Sequence, residues 1–325
     1  MGGEASPVRT AEGAGDAWPA FRVSGSPAQI FRADAPSKMR SDVVVVTGVG
    51  GPAGRAAFDY FCGLGYRVVS TDSRELDGYS PFHKVPAASD AGFLDALLRI
   101  VADEGAGLLV PTVSEELPLV AEHREALRER GCGLFISSCE AARIVNDKWL
   151  TAEALRASAV PVPRSYCDVT RAELLESLPP PILSKPRVGR GARGIELYRT
   201  EREIPAALPR GRIYQEFLPG EEFDVNVFAD APGVPAVVVV LRKSALKFGD
   251  FGNAAAVERV EDREVGALAE AAVRSLSLEG PLDVDVRRGA SGDPAILEIN
   301  GRLGANVRSA EEVLDRMTAS WMERQ

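Results

Sequence analysis

Histidine is nearly missing from this chain: His83 and His123 are the only two, and they lie far apart. A His-based zinc centre or a Ser-His triad is therefore not expected, since each needs an imidazole beside other ligands or a nucleophile. Cysteine is scarce too, and Cys62, Cys132, Cys139 and Cys167 have no C-x-x-C spacing. In a chain of 325 residues these four make no disulfide scaffold, and reduced thiols in a cytoplasm are the expectation. No run approaches the roughly 18 apolar residues of a membrane span, and no apolar h-region marks a signal peptide. Positive charge is in deficit, with 38 Lys and Arg against 47 Asp and Glu, a net charge of −9. Neither a nucleic-acid partner nor an anionic membrane is expected, although a local basic pocket remains open.

Hydrophobic residues make up 45% of the chain, enough for two or three domains with real cores. Residues 1–40 are rich in Gly, Ala, Ser and Pro and lack periodicity, which predicts a flexible tail. From 43 to about 145, strands and helices alternate. Val43 to Val46 read as a buried strand, and Phe93, Leu94, Leu97, Leu98 and Val101 form one helical stripe. Ser114-Glu115-Glu116 opens a further helix predicted to run to Gly131, and 133–136 a fourth strand. This pattern predicts an α/β leading domain over 41–145 with a parallel, doubly wound sheet.

The pattern then becomes α+β. Asn146 is placed to cap a helix through Leu155, Thr170-x-x-Glu173 is a capping box, and Thr200-x-x-Glu203 predicts another helix start. Strands dominate from 212: 212–217, 223–229, 236–241, 282–287 and 295–300. A helix capped by Asp262 and a final helix over 309–322 complete the prediction.

Two glycine loops compete for a nucleotide. Thr47-Gly48, Gly51 and Gly54 follow the first strand in a TG-x-x-G-x-x-G spacing that suits an NAD(P) reductase, with Asp72 available for a ribose hydroxyl. Such a reductase needs a Tyr-x-x-x-Lys pair, and none of the six tyrosines has Lys four residues on. The glycines then serve only a close-packed strand-to-helix turn. The second loop, PILSKPRVGRGARGIEL, places Gly189, Gly191 and Gly194 between two strands, with Lys185 just ahead. Backbone N–H groups there can cover phosphates, and the lysine can neutralise them. A protein kinase carries its lysine after such a loop and needs H-R-D, which is absent. A mobile turn with a solvated lysine is the bland alternative.

Near the C-terminus stand GPLDVDVRR and AILEINGRLGAN. Side chains two apart on a strand share a face, so Asp283 and Asp285 point one way, and Glu298 and Asn300 also share a face. If the strands form a hairpin, Asp285 meets Glu298 and Asn300 as an oxygen-only set suited to Mg²⁺ or Mn²⁺. Arg302 follows at the strand end, where it can meet a phosphoryl group or a carboxylate. A solvated strand face with a salt bridge is the other reading of these residues.

In order, NDKWLTAEALRASAVPVPRSY, PILSKPRVGRGARGIEL, IYQEFLPGEEFDVNVF and ILEINGR resemble the ATP-grasp superfamily over roughly 43–310. The resemblance implies a Rossmann-like leading domain (41–145) that does not bind NAD, a small lid subdomain (146–211) and a C-terminal subdomain carrying the metal site (212–325). It implies that Lys148 and Lys185 contact ATP phosphates under a loop spanning Gly189, Gly191 and Gly194. Gln215, Glu216, Phe217 and Leu218 take the adenine-reading place and Glu222 the ribose place. Asp285, Glu298 and Asn300 take the metal place, with Arg302 on the transferred phosphoryl. The family usually reads E-I-N-P-R, where this chain has Gly301, and more often has Glu or Gln where Asp285 stands.

The resemblance implies a cytoplasmic carboxylate–amine ligase that uses ATP with Mg²⁺ or Mn²⁺ and passes through an acylphosphate. C–S bond formation is a lesser variant. Expected partners are a small-molecule carboxylate and amine, with a homodimer compatible with the sequence. An NAD(P)-dependent reductase and a non-catalytic nucleotide-binding module are the rival readings. A pocket for the acceptor is expected near Arg242, Lys243, Lys247 and Arg302.

Overall fold

The computed structural model describes residues 41–324; the tail expected over residues 1–40 lies outside them. The first sheet is built from β1 (Val43–Val46), β2 (Arg67–Asp72), β3 (Phe82–Lys84), β4 (Leu108–Val110) and β5 (Gly133–Leu134), in the order β3-β2-β1-β4-β5. Every pairing is parallel, as alternating strands and helices require. Val44 and Val46 face α1 (Pro52–Gly63), whose Ala53, Ala56, Ala57 and Phe61 are buried there. Val43 and Val45 face α2 (Phe93–Asp103) through Phe93, Leu97, Ile100 and Val101. Helices therefore cover both faces of the sheet.

The helix expected from Ser114 to Gly131 is broken. A 3₁₀ turn (Ser114–Glu116) leads into α3 (Leu117–Glu122), and α4 (Arg124–Glu129) follows. His123 causes the break: its amide bonds to the carbonyl of Val120, three residues back, and its ring Nδ1 sits 3.0 Å from the carbonyl of Leu119. Helix α5 (Cys139–Asn146) was not anticipated, and Asn146 ends it instead of capping the next. Asp147 is the cap of α6 (Lys148–Ala157), accepting from the amides of Trp149 and Leu150.

The second sheet is antiparallel: β6 (Ser165–Cys167), β7 (Ile182–Pro186), β8 (Glu196–Tyr198) and β9 (Arg212–Glu216), in the order β6-β9-β7-β8. The capping box of Thr170 and Glu173 starts α7 (Arg171–Ser177) as expected. The helix expected from Thr200 is only a 3₁₀ turn (Glu201–Glu203). Ile204 precedes Pro205, which disfavours helical ψ, and it is extended at ψ 123°.

The third sheet holds β10 (Glu222–Ala231), β11 (Val234–Leu246), β12 (Ala254–Arg259), β13 (Gly280–Arg288) and β14 (Pro294–Asn300), ordered β12-β11-β10-β13-β14 and wholly antiparallel. Helix α8 (Arg263–Ser275), capped by Asp262, packs Val265, Ala269, Ala272 and Val273 against Phe223, Val225, Val227 and Val284. The last helix, α9 (Glu311–Arg324), bridges this sheet and the first: its Arg316 and Ser320 bond to Asp230 of β10. Its Val313, Leu314, Met317 and Trp321 join Val44, Val46 and Phe61 in the core of the first sheet. Among the described residues no helix is long and apolar enough to cross a membrane.

Candidate functional site

The site is one face of the third sheet. In β10, Glu222, Asp224 and Asn226 stand opposite Arg287, Asp285 and Asp283 of β13. Across the other edge of β13, Asp285 is opposite Glu298 and Asp283 opposite Asn300. Opposed residues share a face, so these eight side chains form one polar layer, while Phe223, Val225, Val284 and Val286 fill the core behind it. The hairpin expected from the sequence thus brings Asp285, Glu298 and Asn300 together. A register shift between Asp285 and Val286 makes this work, since Val286 is paired with Ile296. The bulge at Leu297 turns Ile296 to the core and Glu298 to the polar face.

Two lysines converge on Glu298. Lys185, at the end of β7, is buried with Nζ 3.6 Å from Glu298 Oε2, and it donates to the Leu297 carbonyl at 3.2 Å. Lys148 opens α6 with Nζ 3.4 Å from the same oxygen, and it donates to the Gly189 carbonyl at 2.8 Å. Asp147 fixes this helix start and also takes the guanidinium of Arg187 at 2.6 Å, tying α6 to the glycine loop. Burial alone would raise the Glu298 carboxyl, but Lys148, Lys185 and Lys243 hold it down to about 2. Burial lowers Lys185, with Glu298 pulling the other way.

Lys243 of β11 is buried between Glu222 at 2.7 Å and Asp285 at 2.5 Å. Burial opposes its charge, yet Asp285, Glu222 and Asp224 raise it well above the ordinary range. Burial pushes Asp285 up to about 7 against the pull of Lys243. Asp283 is raised well above the carboxylate range by burial and then by Asp224, with Arg302 acting against both. Arg302 Nη1 donates to Asp283 Oδ2 at 2.9 Å and to the Leu303 carbonyl at 2.8 Å.

These groups line a cleft of about 760 Å³. The loop between β7 and β8 forms one wall through Gly189 and Gly191, at φ +147° and +69°, a region glycine adopts without strain, while Gly194, at φ +69°, is in the same loop but off the cleft lining. Arg190 of that loop pairs with Glu115 beside the first sheet. The opposite wall contains the first glycine turn. There a Cβ on Gly54 would lie 2.4 Å from the Gly48 carbonyl oxygen, so this glycine serves close packing. Asp72, the candidate ribose acceptor, already accepts the amides of Gly50 and Arg74, each at 3.0 Å.

Not every expected residue reaches the cleft. Glu222 lines it, but Gln215, Glu216, Phe217 and Leu218 do not. Gln215 Nε2 donates to Ser165 Oγ at 3.1 Å, Glu216 pairs with Arg164 at 3.0 Å, and Phe217 lies under the Arg287 guanidinium. Arg242 is also outside: strand alternation turns it away from Lys243, to Glu221 and Glu258. Lys243 is consumed by its two carboxylates, whereas Lys247 lines the cleft. Asp147, Asp224 and Asn306 were missed. The F-D-V-N-V alternation carried a signal for Asp224, while no local signal marks Asn306.

Among the described residues no group of three His, Cys, Asp or Glu is disposed to hold a metal alone. The oxygen donors at hand are Asp285 facing Glu298, with Asn300 beside them. Two carboxylates and an amide suit a Mg²⁺ ion that completes its octahedron with phosphate oxygens and water.

Residues 145–306 match the family profile described as an ATP-grasp domain. No curated protein sequence matches the chain. Among solved structures, L-amino acid ligase from Bacillus licheniformis superposes with a TM-score of 0.64 at 19% identity, over 82% of this chain and 68% of that one. N5-carboxyaminoimidazole ribonucleotide synthetase from Thermotoga maritima gives 0.62 at 16% identity, over 86% and 75%. D-alanine–D-alanine ligase from Bacillus anthracis gives 0.59 at 16% identity, over 86% and 97%.

Proposed function

Residues 145–306 of this chain form an ATP-grasp domain, and on that premise we propose that the protein is an ATP-dependent carboxylate–amine ligase. The observation that carries the reading is the convergence of Lys148 and Lys185 on Glu298, itself opposite Asp285, under the glycine loop. Two cations and two carboxylates at one point suit a triphosphate with its Mg²⁺ or Mn²⁺. Lys148, Lys185 and the amides of Gly189–Gly194 bind the phosphates, and Asp285, Glu298 and Asn300 hold the metal. When bound, the metal neutralises charge on the phosphate oxygens. Glu222, which lines the cleft, is assigned to the ribose. The first sheet, as a Rossmann-like leading domain, closes the far wall of the cleft without holding NAD.

The chemistry follows from what a carboxylate lacks. At neutral pH it does not react with an amine, because oxide is no leaving group. A carboxylate oxygen attacks the γ-phosphorus, the bond to the bridging oxygen of ADP breaks, and an acylphosphate forms. The amine then adds to the acyl carbon, phosphate leaves, and the amine proton passes to solvent. Positioning and charge neutralisation suffice, so the protein needs no nucleophile of its own. Arg302, at the edge of the cleft beside Asn300, is assigned to the phosphoryl group in flight.

The test is release of ADP and phosphate by the purified protein with MgATP, screened over pairs of amino acids and small carboxylates. With an ¹⁸O-labelled carboxylate, one label must appear in the phosphate. Tight NADPH binding with none for ATP would overturn the reading.

A further inference from the structure

Beside the triphosphate groups, the same polar face holds charge that the proposed reaction with ATP leaves unused. Asp224 and Asp283 both line the cleft and are buried, at 2% and 6% exposure. Arg302 reaches Asp283 Oδ2 at 2.9 Å, an oxygen that also receives the Asn300 amide at 3.4 Å, and the Lys243 charge acts on both aspartates without a hydrogen bond to either. Asp224 receives only neutral donors, Asn226 Nδ2 at 2.7 Å and Asn306 Nδ2 at 2.6 Å. Two buried acceptors have no donor at all, Asp283 Oδ1 and Asn226 Oδ1. They lie together, because a Cβ on Gly304 would be 2.8 Å from Asn226 Oδ1 and 3.1 Å from Asp283 Cγ. Burying an acceptor without a donor is costly, so such a cluster points to a missing donor.

We propose that Asp283, Asp224 and Asn226 form an ammonium subsite that holds the protonated amino group of an amino-acid substrate, whose carboxylate lies toward Arg302. The proposal rests on the ligase reading and narrows its carboxylate substrate to a zwitterion. An ammonium brings three N–H donors, enough for the two orphan oxygens and a carboxylate oxygen of Asp224. The opposition of Asp283 to Asn300 places this subsite one pair along the strands from Asp285 and Glu298. Two residues of strand are about 7 Å, so the subsite neighbours the metal pair on the same face.

The experiment is calorimetric titration of the whole protein, with a non-hydrolysable MgATP analogue present, by each common amino acid and by its des-amino carboxylate, such as alanine and propionate. At least one amino acid is expected to bind 10-fold or more tightly than its des-amino partner, and Asp283→Asn is expected to abolish that preference while the analogue still binds. Asp224→Asn, which keeps the side chain's volume, should weaken the same preference. Binding of no amino acid, equal binding of the des-amino partners, or an intact preference in both variants would overturn the subsite. A Mg²⁺ affinity that falls in Asp283→Asn without any amino-acid preference would also overturn it, in favour of a second metal. ATP binding is read separately in a titration without amino acid, so failure of the ligase reading is distinguishable from failure of the subsite.

Discussion

Glu298 is where two lysines, a strand bulge and a facing aspartate meet, so it is the residue whose charge matters most to the proposed chemistry. Glu298→Gln keeps volume and hydrogen bonding but removes the charge that Lys148 and Lys185 share. We expect turnover to fall at least ~10²-fold, the scale of losing one transition-state contact, with melting temperature little changed. Activity within a few-fold of wild type at saturating Mg²⁺ would make Glu298 structural. Arg302→Lys keeps the positive charge and loses the planar fork. It should lower kcat by roughly 10²-fold with the KM for ATP nearly unchanged; a raised KM for the carboxylate at intact kcat would retire the phosphoryl role. Glu116 offers a test on stability. It is buried against Thr47 Oγ1, which donates to it at 2.5 Å, and burial pushes its carboxyl up to about 8 despite that bond. The folded state therefore keeps a proton that the unfolded state has lost above about 4.5, its ordinary value. Stability falls as pH rises from about 4.5 to about 8 and levels beyond, by an upper bound on the order of 5 kcal/mol. Denaturation of wild type and Glu116→Gln between pH 5 and 8 should show the wild type losing ground as pH rises; a constant gap would place the ionised form in the fold.

At the scale of elements, the start of α6 couples the fold to the site. Asp147 caps two amides there and holds Arg187 by both carboxylate oxygens, so one side chain fixes the helix bearing Lys148 and the strand end leading into the glycine loop. Asp147→Ala is expected to cost about 2 kcal/mol in chemical denaturation, from the lost cap and the lost charged hydrogen bonds. It should also weaken ATP binding. Asp147→Asn keeps a capping oxygen, so calorimetry and denaturation on both variants separate the cap from the ion pair. Equal loss of ATP affinity in the two would assign the effect to Arg187. The bulge at Leu297 matters in the same way: without it, Ile296 and Glu298 would share a face, and either the core or the site would be lost.

For the molecule as a whole, the C-terminal helix closes the structure. Trp321 is 2% exposed and packs with Val44, Phe61 and Phe228, so α9 joins the first sheet's core although the third sheet precedes it in the chain. Trp321→Ala should cost about 3–5 kcal/mol, as for other large buried aromatics truncated to alanine. Thermal or urea unfolding measures this, and a shift below 1 kcal/mol would mean that α9 is only loosely attached.

By itself the sequence determined the parallel, doubly wound sheet, because four consecutive valines and the apolar stripe of Phe93, Leu97 and Val101 leave few other ways to bury them. It also determined the pairing of Asp285 with Glu298, since two acidic, alternating strands joined by a polar turn have one natural partner, each other. The three-residue strands β3 and β6 stayed hidden because neither run carries a β-branched stretch or a period. The break at His123 and the stop before Pro205 needed side-chain and backbone competition that a periodic pattern does not record. Only the tertiary structure decided which charges meet. Lys148, Lys185, Lys243 and Arg302 come from four separate stretches of chain, and strand alternation admits Lys243 to the site while turning Arg242 to the surface. Long-range electrostatics in a buried layer depends on distances that sequence spacing does not fix, and the unpartnered oxygens of Asp283 and Asn226 arise from that layer alone.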